Sequence, residues 1–176
     1  MLEERVARLI RTIPDFPKKG VEFQDITPIL YDVPLVAEMV DAFAEAGRET
    51  GVNTVVGIES RGFFFGPLIA YKLGVPFLVV RKRGSFPGVT ATFSTYDIEY
   101  GSASIEMNIH DLPENARVMI HDDLLATGVT ATAAANLLRH AGAEVAMFSF
   151  VGHLTFLDGA EKLLSFSPNI FTLAEL

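Results

Sequence analysis

Two strand–helix–strand units constrain the fold of this chain more than any other feature of its sequence. Each unit consists of two short apolar strands around a helical stretch that ends at a glycine: residues 54–58, 63–73 and 76–80 in the first unit, and residues 117–120, 131–141 and 145–151 in the second. Strands that are buried on both faces have continuous apolar runs, and helical crossovers join parallel neighbours. The sequence therefore predicts an α/β fold with a mainly parallel, twisted sheet that is flanked by helices.

The chain in front of the first unit predicts two helices around an irregular segment. The helical spacing of the apolar residues that follow Met1 ends before Pro14. Residues 15–31 contain proline and glycine breaks, which predict an ordered segment that is neither helix nor strand. A second apolar stripe at helical spacing begins near Pro34 and ends before Gly51.

Two further segments complete the predicted organisation. Residues 82–108 are polar and rich in Gly, Ser and Thr, and they predict a mobile hairpin lid with short strands near residues 91–93 and 104–107. Residues 154–176 predict a short helix and an edge strand, to which we assign no function. Since no repeat or linker interrupts the 176 residues, of which 49% are hydrophobic, we expect a single domain that spans residues 1–176.

The composition argues against several functional classes. The absence of Cys excludes disulfides, thiolate metal sites and a Cys nucleophile. Residues 1–5 are charged where a signal peptide would be apolar, and no run approaches the ~18 apolar residues of a membrane span. The net charge of −8 disfavours nucleic-acid binding, since Lys and Arg must displace counterions from phosphates. We therefore expect a cytoplasmic protein that binds neither nucleic acid nor membrane.

Polar residues follow three of the predicted strands, at the sheet edge where parallel α/β proteins bind ligands. They are residues 59–62, 81–84 and 121–130. The third segment is the most informative, because Asp122 and Asp123 precede a Thr-Gly turn and a helix start. Two carboxylates can accept hydrogen bonds from a ribose diol, while the amides and hydroxyls that follow can bind a phosphate.

Each of these residues also has an ordinary structural interpretation. Thr130 could be a simple helix cap and Gly128 a tight turn. Asp122 and Asp123 could be solvated or could bind Mg²⁺ without a sugar, and the basic residues of the other two segments could be surface charges. The joint spacing of these residues at a strand end favours the ligand site.

The third segment also carries a family resemblance. Its Asp-Asp-Leu-Leu-Ala-Thr-Gly run, followed by Thr130, resembles the phosphoribosyl pyrophosphate signature of type I phosphoribosyltransferases, in the form found in members that act on adenine. The other segments that match this family in order are residues 13–17, 25–28, 57–63, 80–84 and 99–102. The resemblance implies the type I phosphoribosyltransferase fold, with residues 1–31 as N-terminal helix and base-recognition segment and residues 82–108 as a flexible hairpin lid.

The resemblance further implies an activity and its residues. Phosphoribosyl would pass from phosphoribosyl pyrophosphate to adenine, giving AMP and pyrophosphate in purine salvage, with Mg²⁺ bound together with phosphoribosyl pyrophosphate and no metal site built by the protein alone. A homodimer is also implied. The catalytic residues would be Glu99, as acid/base, and Arg61, which would hold the leaving pyrophosphate. The other residues implied to bind phosphoribosyl pyrophosphate are Glu59, Ser60, Gly62, Arg81, Lys82, Asp122, Asp123, Ala126, Thr127, Gly128, Val129 and Thr130, and those implied to bind the base are Phe23, Gln24, Leu124 and Tyr100.

Departures from the family pattern leave two alternatives open. Val129 stands where the family normally has a second glycine, and a β-branched residue is strained if that position needs a positive φ. Gln24 replaces a usual arginine near the base. The alternatives are a 6-oxopurine phosphoribosyltransferase and a non-catalytic nucleotide-binding sensor of the same fold. His121 replaces a usual apolar residue, and we expect a half-buried histidine that bonds to backbone.

Overall fold

The computed structural model describes residues 1–87, 91–98 and 101–176. Over these residues the helices are α1 Leu2–Leu9, α2 Val33–Glu49, α3 Gly66–Leu73, α4 Val129–His140 and α5 Gly159–Leu163. The strands are β1 Arg11–Ile13, β2 Phe23–Asp25, β3 Thr54–Ile58, β4 Phe77–Lys82, β5 Ala91–Ile98, β6 Gly101–Asn108, β7 Arg117–Leu125, β8 Glu144–His153 and β9 Ile170–Glu175. Short 3₁₀ turns occupy Thr27–Tyr31, Arg61–Phe63 and Ile109–Asp111.

The main sheet confirms the predicted parallel architecture. Its strand order is β5-β6-β4-β3-β7-β8-β9, and the neighbours from β4 to β9 pair in parallel. The hairpin of β5 and β6 joins the edge of β4 in antiparallel fashion, and β9 forms the opposite edge as the predicted tail strand. Strands β1 and β2 form a separate antiparallel pair.

Two layers of apolar side chains hold the helices on the two faces of the sheet. Successive strand residues point to opposite faces, so Met119 packs in the layer beneath α2 and α3 while Ile120 packs in the layer beneath α4. Phe43 of α2 and Leu137 of α4 are buried in these respective layers. Both faces of the central strands are therefore covered, which explains why β3 lacks an exposed residue.

Several element boundaries differ from the predictions. Residues 61–63 form a 3₁₀ turn, and α3 begins only at Gly66, with a proline in its first turn. The segment 15–31, predicted to be irregular throughout, contains β2, because its backbone pairs with β1 from Ile13↔Phe23 to Arg11↔Asp25. Strand β7 continues beyond residue 120 to Leu125, since its pairing with β8 continues to the end.

The described residues contain no helix that combines the length and the apolar character needed to span a bilayer.

Candidate active site

Three segments converge at the carboxyl edge of the sheet because β4, β3 and β7 are neighbours. The segment after β3 packs directly against β7: a Cβ added at Gly62 would lie 2.5 Å from the His121 carbonyl oxygen. Only glycine permits this approach without a shift of the backbone. Residues 59–62, 81–84 and 121–130 therefore meet as predicted, because their strands are neighbours in the sheet and the backbone at Gly62 packs against β7.

The segment of residues 126–130, here called the phosphate loop, joins β7 to α4. Gly128 takes a left-handed φ of +73°, and α4 begins at the next residue. The first intrahelical bond runs from the Thr132 amide to the Gly128 carbonyl at 2.9 Å, so the amides before Thr132 have no acceptor within the helix. A cavity of about 70 Å³ lies against the loop. Its lining includes Asp122, Ala126, Thr127, Gly128, Val129 and Thr130.

The backbone at Val129 removes the concern about strain. Gly128 supplies the positive φ of the turn, while Val129 is the first residue of α4 and has helical backbone. A β-branched residue is allowed there, at the cost of a slightly lower helix propensity. The missing second glycine of the family pattern therefore does not distort the phosphate loop.

The acidic pair lies within β7 rather than in the loop after it. Asp123 is 3% exposed, and its Oδ2 lies 2.9 Å from Nη1 of Arg61. The Asp123 amide donates to Asp122 Oδ1 at 2.9 Å. Loss of solvation raises the pKa of Asp122 well above its usual value, and the adjacent Asp123 carboxylate raises it further. Burial also raises the pKa of Asp123, against the opposing effect of Arg61.

Arg61 connects the acidic pair to the N-terminal segment. Its guanidinium lies 5.0 Å from the centre of the Phe23 ring, and Nη1 donates to the Gln24 carbonyl at 3.3 Å. A cation above an aromatic face is attracted by the quadrupole of the ring. One side chain thus contacts both the segment predicted to bind the base and the pair predicted to bind the sugar.

The carboxyl end of β4, which continues past the predicted end at residue 80 to Lys82, is organised around Glu59. Arg81 Nη2 lies 3.1 Å from Glu59 Oε1, and the Lys82 amide donates to Oε2 at 2.9 Å. The Lys82 amide, followed by the Arg81 guanidinium, lowers the pKa of Glu59. Arg81 also donates to the Ser85 carbonyl at 3.1 Å. Glu59 therefore contacts the predicted basic residues directly and orients Arg81 at the sheet edge.

The segment predicted to recognise the base is anchored by a buried carboxylate. Asp25 accepts from Arg11 Nη2 at 2.7 Å and from the Thr27 amide at 2.9 Å. The Thr27 hydroxyl and Arg11, with the Thr27 amide, lower the pKa of Asp25 to about 2. The Gln24 side chain accepts from Thr12 at 2.9 Å. These bonds hold β1 and β2 together and position Phe23 beside Arg61.

Sequence reasoning missed Glu106. Its carboxylate, 7% exposed, accepts from the amides of Ser85 and Phe86, each at 2.9 Å, and the backbone donors lower its pKa. It thereby holds the chain where the predicted lid leaves β4. An acidic residue between two apolar ones in a strand, Ile105 and Met107, was the only local signal.

Three other predicted site residues differ in whether the structure describes them. Leu124 lies on β7 beside the cavity, whereas Glu99 and Tyr100 lie outside the described residues.

His121 differs from the expectation of a half-buried residue bonded to backbone. It is fully buried, and its Nδ1 lies 2.9 Å from the Ser149 hydroxyl of β8. Its ring packs edge-on against Phe43, with centroids 5.0 Å apart. Burial lowers the pKa of His121 to about 3, because the cation would lose its hydration in the apolar layer. His121 is therefore a neutral core residue.

Comparison with known proteins agrees with this geometry. The model of the phosphoribosyl transferase domain matches residues 29–164. The chain is 46% identical over 162 residues to adenine phosphoribosyltransferase of Streptomyces coelicolor, covering 92% of this chain and 88% of the relative. The crystal structure of adenine phosphoribosyltransferase from Thermoanaerobacter pseudethanolicus superposes with a TM-score of 0.93 at 41% identity, covering 100% of both chains. The Saccharomyces cerevisiae enzyme, complexed with an imino-altritol bisphosphate and adenine, superposes with a TM-score of 0.89 at 38% identity over 98% of both chains. The chain therefore belongs to the phosphoribosyl transferase family.

Proposed function

We propose that this chain transfers phosphoribosyl from phosphoribosyl pyrophosphate to adenine, giving AMP and pyrophosphate. The observation that carries the proposal is the adjacency at one edge of the sheet of the half-buried Asp122, the buried Asp123, the phosphate-loop cavity and Arg61. The curated relatives at 43–46% identity that support the choice of adenine are named adenine phosphoribosyltransferases.

The sugar phosphate is assigned to β7 and the phosphate loop. Thr127, Val129 and Thr130 line the cavity, and backbone amides at a helix start and threonine hydroxyls are groups that suit a 5′-phosphate. Asp122 and Asp123 precede them and accept hydrogen bonds from the ribose hydroxyls. Their raised pKa values support this role, because partly desolvated carboxylates gain from donors that a ligand brings.

The pyrophosphate is assigned to the two neighbouring segments. In the reaction the bond between the anomeric carbon and the pyrophosphate oxygen breaks, and a base nitrogen forms the new bond. Negative charge grows on the leaving group, so preorganised cations lower the barrier. Arg61, Arg81 and Lys82 supply those cations, and Glu59 is the group that orients Arg81. Ser60 and Gly62, which flank Arg61 in the chain, are assigned to the same pyrophosphate site.

Mg²⁺ is proposed to enter with phosphoribosyl pyrophosphate. The ranges 1–87, 91–98 and 101–176 hold no cluster of three or more His, Cys, Asp or Glu that could form a protein-built metal site. Since Mg²⁺ commonly takes substrate phosphates as ligands, we propose that its ligands come largely from the oxygens of phosphoribosyl pyrophosphate. When bound, the ion would neutralise charge on the leaving pyrophosphate.

The base is assigned to Phe23 and Gln24 of β2, to Leu124 of β7 and to Tyr100. Glu99 is proposed as the acid/base group, and residues 82–108 as the lid that excludes water from the activated sugar. The contact of Arg61 with Phe23 supports the placement of the base segment beside the sugar site.

The alternatives have lost their main support. The sensor hypothesis rested on strain at Val129, which instead has helical backbone. The 6-oxopurine hypothesis rested on Gln24, yet relatives and solved neighbours that cover most of this chain are named for adenine.

We further propose a cytoplasmic homodimer. The exposed side chains of Leu68 and Tyr71 on α3 form an apolar surface that a second copy of the chain could cover.

The test is release of pyrophosphate when the protein is mixed with phosphoribosyl pyrophosphate, Mg²⁺ and one base at a time: adenine, hypoxanthine, guanine or xanthine. We expect turnover with adenine alone. Glu99→Ala should lower kcat by about 10²- to 10³-fold, as general acid–base groups do. Glu114→Ala, at an exposed carboxylate outside the site, serves as the matched control. Turnover with an oxopurine in place of adenine would refute the assignment.

A further inference from the structure

The short helix α5, in the tail to which sequence assigned no function, lies directly against the phosphate loop. Gly159 is buried, and a Cβ added to it would lie 2.1 Å from the Ala126 carbonyl oxygen and 3.0 Å from the Gly128 nitrogen. In the reverse direction, a Cβ added at Gly128 would lie 2.6 Å from the Gly159 carbonyl oxygen. The two backbones thus touch at a pair of glycines, and a side chain at either position would separate them.

Glycine is required at position 159 because there is no space for a side chain, and not because of its backbone conformation. Gly159 has helical backbone in α5, unlike Gly128, so the chain there does not need glycine for its φ. The fully buried Leu163 packs α5 into the apolar layer beneath the sheet, together with α4. Because packed cores resist displacement, α5 cannot easily move away from the phosphate loop to make room for a side chain at Gly159.

Lys162 supplies a second, independent contact. Its Nζ donates to the Thr127 carbonyl oxygen at 2.8 Å, across 35 residues of sequence. A hydrogen bond from an ammonium group to a carbonyl is charge-assisted and stronger than one between neutral groups. Steric contact at Gly159 and a directed bond from Lys162 therefore act on consecutive peptide groups of the phosphate loop.

These contacts determine where the loop amides point. In a planar trans peptide, the carbonyl of one residue and the amide of the next point in opposite directions. The packing of the Ala126 carbonyl oxygen against Gly159 thus orients the amide of Thr127. The hydrogen bond from Lys162 to the Thr127 carbonyl oxygen orients the amide of Gly128. Thr127 and Gly128 both line the cavity assigned to the 5′-phosphate.

We propose that Gly159 and Lys162 are positioning residues that hold the peptide groups of the phosphate loop in the orientation that binds a phosphomonoester. The inference rests on the proposed function, which places the 5′-phosphate at this loop. Neither residue needs to touch the substrate, since each acts through the backbone of residues 126–128. Their loss should weaken recognition of the phosphate and leave recognition of the base unchanged.

The test compares AMP with adenosine, which lacks the phosphate, by calorimetric binding to the wild type and to Lys162→Met, Lys162→Arg and Gly159→Ala. For Lys162→Met we expect the Kd of AMP to rise about tenfold, as for loss of one charge-assisted hydrogen bond, with the Kd of adenosine unchanged. Lys162→Arg should restore most of the affinity. Gly159→Ala, which keeps the charge, should also weaken AMP selectively. In turnover, KM for phosphoribosyl pyrophosphate should rise while KM for adenine stays constant.

Two controls separate this role from general effects. Lys72→Met removes an exposed lysine of α3 that pairs with Asp41, and Gly74→Ala strains a left-handed glycine whose added Cβ would contact nothing within 4 Å. If Lys162→Met and Gly159→Ala both keep the wild-type preference for AMP over adenosine, this inference is overturned and the phosphate assignment stands. Loss in Lys162→Met but not in Gly159→Ala would reduce Lys162 to a surface charge and would also overturn it. A wild type that binds AMP no better than adenosine would overturn the phosphate assignment and this inference together.

Discussion

Asp25→Asn should destabilise the protein in a way that depends on pH. Asp25 is 8% exposed and accepts from Thr27 and Arg11, which lower its pKa from 3.8 to about 2. A folded-state pKa below the unfolded value means that the ionised group stabilises the fold above pH 3.8 and loses this effect as pH falls towards 2. At about 1.4 kcal/mol per pKa unit, the shift corresponds to about 2 kcal/mol at pH 7 and about half of that at pH 3.

The assay is urea unfolding of the wild type and Asp25→Asn between pH 7 and pH 3. We expect the difference in free energy of unfolding to be about 2 kcal/mol at neutral pH and to shrink as acid protonates the wild-type carboxylate. Asp41→Asn, which breaks an exposed pair with Lys72, should cost under about 0.5 kcal/mol. A difference at pH 7 no larger than that of Asp41→Asn, or one that stays constant down to pH 3, would refute the reasoning.

Two other stability predictions concern β7 and α4. His121 has a folded-state pKa of about 3, so the unfolded chain binds a proton first as pH falls below 6.5, and the wild type should lose about 2 kcal/mol between pH 7 and pH 5. His121→Leu should remove this loss, as measured by urea unfolding at both pH values; an equal loss in the variant would contradict the assignment. Val129→Gly should lower the free energy of unfolding by about 0.5 kcal/mol, because glycine is the poorer helix residue. A gain in stability from Val129→Gly would reveal strain at a position where the backbone shows none.

The sequence predicted the elements that depend on local pattern. The strand–helix–strand units, the parallel sheet and the hairpin strands near residues 91–93 and 104–107 are all confirmed. Apolar periodicity is set by burial on one face or two, which each element carries in its own residues. Boundaries were less accurate: α3 starts at Gly66 and β7 runs to Leu125, because pairing and packing with other elements decide where a strand or helix stops.

Candidate site residues were predicted only where one short segment contains several of them. Asp122, Asp123 and the phosphate loop share such a segment, and the sheet topology brings Arg61 to it as expected. Glu106 was missed, since its role depends on backbone amides that lie 20 and 21 residues away. The sequence also could not decide whether Val129 strains the backbone. That depends on whether residue 129 lies in the turn or begins α4, and only the structure shows that it begins α4.

By itself, then, the sequence determined the order of strands and helices along the chain, the acidic motif with its predicted phosphate-binding loop, and the position of both at the carboxyl edge of the sheet. These properties follow from residue types at fixed spacing along one segment. Tertiary structure alone decided that Arg61 pairs with Asp123, that His121 is neutral and buried, and that Gly159 and Lys162 contact the phosphate loop. Such contacts join atoms of segments far apart in the chain, and neither partner carries a local pattern that specifies the other.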